Sequence, residues 1–181
     1  MAYDPVTGAQ LTPATRRTRL AASFTRPSNT TAYAAGDVVG PVTTAAVQTL
    51  SSAGRFNGGS GRIVAATLET NNATVTNGTF RVHIFNASFT PESDNAAFAG
   101  QHTNRAAYQG YFDFNILVAD SASAEGAIAQ LRPATDVDNG LPLEFVCASG
   151  NTALYAVIVA LGAYTPASGQ VFYLTVVAEQ D

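Results

Sequence analysis

Arg81 and His83 are the residues of this chain whose types and spacing come nearest to a chemical site. They stand two apart in TFRVHIFN, residues 79–86, and His83 is one of only two histidines. Alternation along a strand places Arg81, His83 and Phe85 on one side and Phe80, Val82 and Ile84 on the other. An imidazole beside a guanidinium can hold an anion or pass a proton, but base catalysis also needs an orienting partner, and the neighbouring sequence supplies none. The pair therefore reads as a sheet surface. His102, in GQHTNR, has no acidic residue near it in sequence, and two isolated histidines make a poor metal site. DVDNG at 136–140 begins like a calcium loop but lacks the later bidentate glutamate, so a turn rich in Asp, Asn and Gly is the better reading. No G-x-S-x-G elbow, P-loop or dinucleotide-binding glycine pattern occurs, and the glycines of FNGGSGR precede a strand instead of opening a helix. Asp113, Glu144 and Glu69 all fall on expected strands, which leaves a paired-carboxylate hydrolase open without arguing for it. No cofactor is expected.

The composition narrows the classes further. A chain of 181 residues is about one domain and can bury a sizeable core. Its basic residues are nine arginines with no lysine, against thirteen acids, for a net charge of -4. That balance argues against a nucleic-acid binder. Only 12% of residues are charged, and small neutral polar side chains fill the remaining surface. Cys147 is alone, so neither an internal disulfide nor a cysteine zinc site can form; in LEFVCA it shares a side with Leu143 and Phe145 and reads as a buried thiol. No apolar run approaches the roughly eighteen residues a membrane helix needs, and the N-terminus has no apolar leader, so a soluble chain made in a cytoplasm is expected. The sequons at Asn29, Asn72, Asn77 and Asn86 then read as Asn-rich turns.

The elements that must position these residues have a period of two almost throughout. Residues 1–18, broken by Pro5, Gly8 and Pro13, read as an extended arm, and 19–181 as a single domain. RLAASFT turns Leu20, Ala22 and Phe24 inward; DVVG and TTAAVQTL give short strands; SSAGRFNGGSG, with four glycines in eleven residues, is a mobile loop or a close-approach turn. Asn77-Gly78 marks a hairpin between GRIVAATLET and TFRVHIFN. Residues 87–110 read as a long connection with one helical turn, and 121–131 as a short helix. In QGYFDFNILV, Phe112, Phe114 and Ile116 point inward and Tyr111, Asp113 and Asn115 outward; LEFVCA, ALYAVIVAL and QVFYLTVVAE close the chain. This is an all-β chain, an antiparallel β-sandwich of the jelly-roll or immunoglobulin kind, and sequence does not choose between the two. ALYAVIVAL and VFYLTVV are apolar on both sides and need a second cover, either a long loop or, the favoured reading, a neighbouring subunit packed on Tyr155, Val157 and Val159.

FTRPSNTTAYAAGDVVG, GRIVAATLET followed by TFRVHIFN, SDNAAF and GAYTPASGQVFYLTVV, in that order from Phe24 to Val177, together resemble a family of small virion proteins of tailed bacteriophages. The resemblance implies a non-enzymatic structural component of the particle, a capsid decoration or cement protein. Such proteins are compact sandwiches, often homotrimers, that sit on the outer shell and clamp the major capsid protein where its subunits meet. It fixes no functional residues. On this reading Arg16, Arg17 and Arg19 could pair with shell carboxylates, and Arg81 and His83 become candidate shell or intersubunit contacts. The alternative is a tail or head-fibre module that binds a host receptor or glycan through Tyr33, Tyr108 and Tyr111.

Overall fold

A computed structural model describes residues 16–41, 46–72, 78–115, 118–119, 127–131 and 140–181. Its strands are β1 (Arg16–Thr25), β2 (Val38–Val39), β3 (Gln48–Leu50), β4 (Ser60–Thr70), β5 (Phe80–Phe85), β6 (Tyr108–Phe114), β7 (Val118–Ala119), β8 (Ala127–Leu131), β9 (Leu143–Val146), β10 (Leu154–Ala160) and β11 (Val171–Gln180), with one helical turn, α1 (Gly100–Thr103), in the long connection. The expected alternation holds where it is described: Phe80, Val82, Ile84, Phe112 and Phe114 have no exposed surface, and Leu20 and Phe24 are buried.

One sheet runs β1-β11-β4-β8-β7, with β9 also on β4; the other runs β2-β10-β5-β6, with β3 also on β10. The antiparallel pairings are nested: β5 with β6, β4 with β9, β2 and β3 with β10, and β1 with β11 outermost. The chain crosses between the sheets at β1–β2, β3–β4, β4–β5, β6–β7, β9–β10 and β10–β11 as this folded ribbon winds up. Two Greek keys wound in this way make a jelly roll, which decides the topology that the sequence left open. The sheets enclose one core in which Phe24 stacks on Phe172 at 5.5 Å and Phe80 meets Phe172 and Tyr164 edge-on at 5.6 and 5.4 Å. Cys147 belongs to that core.

Three expectations change. β1 begins at Arg16, so residues 16–18, expected in the arm, form the first rungs of the ladder with β11; residues 1–15 lie outside the described residues. Residues 127–131, expected to be helical, form β8 against β4, because Ala127–Leu131 can continue the sheet beside Ala66–Thr70, while 121–126 lie outside the described residues. The Asn77 hairpin, Ile116 and most of DVDNG also fall outside them. The glycine-rich stretch 51–61 is a close approach: a Cβ at Gly61 would lie 2.3 Å from the carbonyl oxygen of Glu179 and 2.8 Å from the Phe145 ring.

The third change concerns the outer face of β10. Val157 and Val159 are only 3% and 4% exposed, and what covers them is the chain's own strap, residues 86–107. Phe89, Phe98 and Ala107 of the strap, with Val38, Phe85, Tyr108 and Tyr155, form a second apolar cluster around the two valines. The favoured neighbouring subunit is therefore not needed on this face. β11 differs: outside the core it shows Tyr173, 44% exposed, with half-buried Thr175 and Val177, and none of the described residues covers them.

Candidate functional site

β5 and β6 bring the Arg81–His83 pair together with Tyr108, Tyr111 and Asp113, which the sequence singled out on other grounds. Arg81 donates to Asp113 through Nε and Nη2, both at 2.7 Å, and lies with Cζ 3.8 Å from the centre of the Tyr111 ring. The β5–β6 register makes this possible by setting Arg81 opposite Asp113 and His83 opposite Tyr111. Two parallel bonds between planar groups are the strong form of an ion pair, and stacking on the tyrosine further fixes the guanidinium. Hydrogen bonding to Asp113 accordingly raises the Arg81 pKa further. The paired-carboxylate arrangement that the sequence left open does not form between Asp113 and Glu144: Asp113 is engaged by Arg81 on one sheet, while Glu144 sits on the other, opposite Arg62.

His83 is buried, at 4% exposure, between Phe98 at 4.7 Å, Tyr108 at 5.8 Å and Tyr111 at 6.1 Å, and its Nδ1 lies 3.1 Å from the Tyr108 hydroxyl. It is thus a packing residue beneath the strap, where the sequence placed it on an outward surface. Burial first, and then the Arg81 charge, lower its pKa from 6.5 to about 4, with Asp113 pulling the other way; burial also raises the Tyr108 phenol to about 12. The imidazole stays neutral in the fold at pH values where the unfolded chain already binds a proton. Stability from this group is therefore complete above pH 6.5 and falls as pH drops toward 4, by about 3 kcal/mol in all. Urea titrations at pH 7 and pH 4.5 should show that loss, and His83→Phe should flatten the slope between pH 6.5 and 4; an unchanged slope would place the titrating group elsewhere.

The arginines of the expected arm take a different place. Arg17 meets Glu179 at 2.7 Å and Arg62 meets the same carboxylate at 2.6 Å, so Arg17 is paired within its own chain. These two hydrogen-bonded cations hold Glu179 below its ordinary pKa. Arg16 and Arg19 are exposed and make no ion pair among the described residues. The outer face of β1, β11 and β4 therefore carries a charged end of Arg17, Glu179 and Arg62 and a stretch of mostly neutral rows flanked by Arg19 and Glu69. There Arg19, Val177 and Ala65 lie level, then Ala21, Thr175 and Thr67, then Ser23, Tyr173 and Glu69. On β9, Val146 adds a 52% exposed apolar side chain beside Glu144.

Sequence reasoning missed a buried network. Arg26, fully buried, donates through Nε to the Tyr33 hydroxyl and through Nη2 to Asp94 at 3.2 Å; Tyr33 donates to Asp94 at 2.5 Å, and the Gly40 N–H reaches the same carboxylate at 3.0 Å. The partners are 7 and 68 residues from Arg26, and no spacing rule connects them. Tyr33, at 2% exposure, is therefore no glycan platform. Among the described residues no group of three or more His, Cys, Asp or Glu could hold a metal ion, and no helix is long and apolar enough to cross a membrane.

No family model and no curated protein matches the chain. Among solved structures it is similar to the capsid asymmetric unit of cyanophage Pam1, at 14% identity and a TM-score of 0.36 over 99% of each chain. It is also similar to the decameric BFDV capsid protein, at 15% identity and a TM-score of 0.33 over 93% of this chain and 100% of that one. A third such structure is the PRD1 vertex protein, at 15% identity and a TM-score of 0.33 over 90% and 97%. At such identities and scores no residue of this chain acquires a role from theirs.

Proposed function

We propose that this chain is a non-enzymatic structural protein of a phage virion, a decoration or cement subunit that lies on the outer capsid shell, contacts the major capsid protein and associates with itself, most simply as a trimer. The observation that carries the proposal is the outer face of β1, β11 and β4, which no described residue covers. Its middle rows hold alanines, threonines, Ser23, Val177 and Tyr173, with charge confined to Arg19, Glu69 and the Arg17–Glu179–Arg62 end. Such a surface can be covered by protein with little desolvation cost, because few of its groups need replacement hydrogen bonds. Arg16 and Arg19, without an ion pair among the described residues, add planar cations at the rim, suited to carboxylates of a shell. The sequence resemblance to small virion proteins points the same way. His83, Tyr155, Val157 and Val159 contribute indirectly, by packing under the strap on the opposite sheet, while Arg81 is already engaged by Asp113 of β6.

The test is to purify particles from a lysate by density gradient and count this chain against the major shell protein by quantitative mass spectrometry. Copies on the scale of the shell protein are expected. A few copies per particle would move the chain to the tail or a fibre, and its absence would overturn the virion reading. A companion particle carrying Tyr173→Arg should lose most of its copies if this face docks, while the purified variant melts as the wild type does.

A further inference from the structure

The strap does more than cover the sheet. Where it turns through α1 it forms an open cavity of about 360 Å³ lined by Phe98, Ala99, Gln101, His102, Arg105 and Tyr108. Two of these are cationic or potentially cationic side chains, two are aromatic rings, and none is an acid. Arg105 is exposed, with no ion pair or side-chain hydrogen bond among the described residues, and so is His102. In a protein of net charge -4, an unopposed guanidinium in a concave, aromatic-walled site is a local reversal of sign.

The cavity is built in advance. The Asn104 N–H and side-chain amide both donate to the Gly100 carbonyl, at 2.9 and 3.0 Å, His102 N–H donates to Ala99, Ala107 N–H to Asn104 and Tyr108 N–H to Arg105. A Cβ at Gly100 would come within 2.7 Å of the Phe98 ring and 2.9 Å of the Phe89 ring, so only glycine lets the turn lie this close to both. Phe98 and Tyr108 are held from behind by His83.

We infer that this cavity binds a carboxylated sugar ring. A planar guanidinium matches a carboxylate through two parallel hydrogen bonds, His102 and Gln101 supply further polar contacts, and the rings of Phe98 and Tyr108 offer flat apolar surface for the unsubstituted face of a pyranose. An aspartate or glutamate side chain of a protein partner would use the cations and leave the two rings idle, which is why the sugar acid is favoured over an acidic peptide. The inference stands apart from the virion reading, since it concerns the opposite sheet from the proposed docking face.

The test titrates the full chain, followed by NMR, with the methyl glycosides of glucuronic acid and N-acetylneuraminic acid, the methyl glycoside of glucose as neutral control, and a short glutamate peptide. Shifts confined to residues 98–108, saturable with at least one acid sugar and weaker by about tenfold or more for the neutral one, are expected. Arg105→Gln should weaken the acid sugar by roughly the same factor, and His102→Ala should weaken it less; both side chains are exposed and neither supports the fold. Binding unaffected by Arg105→Gln, no binding of either acid sugar, or tighter binding of the glutamate peptide would each overturn the inference. Failure here would leave the particle count untouched, and a failed count would leave this titration untouched.

Discussion

Arg26→Met should destabilise the protein by about 3–5 kcal/mol, seen as a lower urea midpoint with an unchanged slope. Arg26 is fully buried and Asp94 is 6% exposed, so removing the guanidinium leaves a carboxylate without its counter-charge inside the protein. The methionine replaces much of the volume, and the loss is therefore electrostatic more than steric. Arg26 also donates to the Ala167 carbonyl at 3.3 Å and lies with Cζ 4.7 Å from the Tyr33 ring centre. Burial, reinforced by the hydrogen bond to Asp94, pushes the Tyr33 phenol far above its ordinary pKa, so it remains a donor. The double variant Arg26→Met with Asp94→Asn removes the orphaned charge and should recover part of the loss. If the single variant stays within about 1 kcal/mol of wild type, or the double variant is worse by the simple sum, the pair is not coupled.

Val157→Asp should cost about 4 kcal/mol or more and should do so in a dilute, monomeric sample. The side chain lies between sheet and strap, beside Val159, Phe85 and Phe89, and the residue directly across the strand pair is the buried, neutral His83, so a carboxylate there loses its water for no ready cation. A subunit interface on this face would behave differently, because the variant would stay folded and lose only its association. The matched control is Val177→Asp on the uncovered face of β11, whose stability should change by no more than about 0.5 kcal/mol. Equal losses at the two positions would mean that both faces are covered in solution.

These two positions also mark what the sequence can and cannot show. The inward rows Phe80, Val82, Ile84 and Phe112, Phe114 were legible because a strand's period is local and the core face rejects polar groups. The double-sided character of ALYAVIVAL was legible for the same reason, but its cover was not. Phe89 and Phe98 sit in a stretch with no period, and their contacts with His83 and Phe85 depend on where the strap folds back. The start of β1 was hidden by Arg16 and Arg17, which look like a solvated tail until Glu179 from β11 is brought beside Arg17. Of the candidate site, Arg81 and His83 were found by type and spacing, yet their role inverted from surface to support. Arg105 was never singled out, because nothing about one arginine in QHTNRAAYQ distinguishes it before the turn closes around it. The nesting of strand pairs is a long-range property, and local pattern carries no information on it.

Cys147 gives the molecule a built-in clock. The thiol is 3% exposed, and its burial pushes its pKa up. A disulfide reagent attacks only an accessible thiolate, so in the native state it must wait for the barrel to open around β9. With a single cysteine in the chain, each labelling event reports that one opening. The dependence of the labelling rate on reagent concentration then separates two regimes: when closing is faster than attack, the rate measures the free energy of opening, and when attack is faster, it measures the opening rate. Because Gly61 presses against the Phe145 ring just ahead of Cys147, the same trace would show whether that end of the jelly roll breathes alone or opens only with the whole fold.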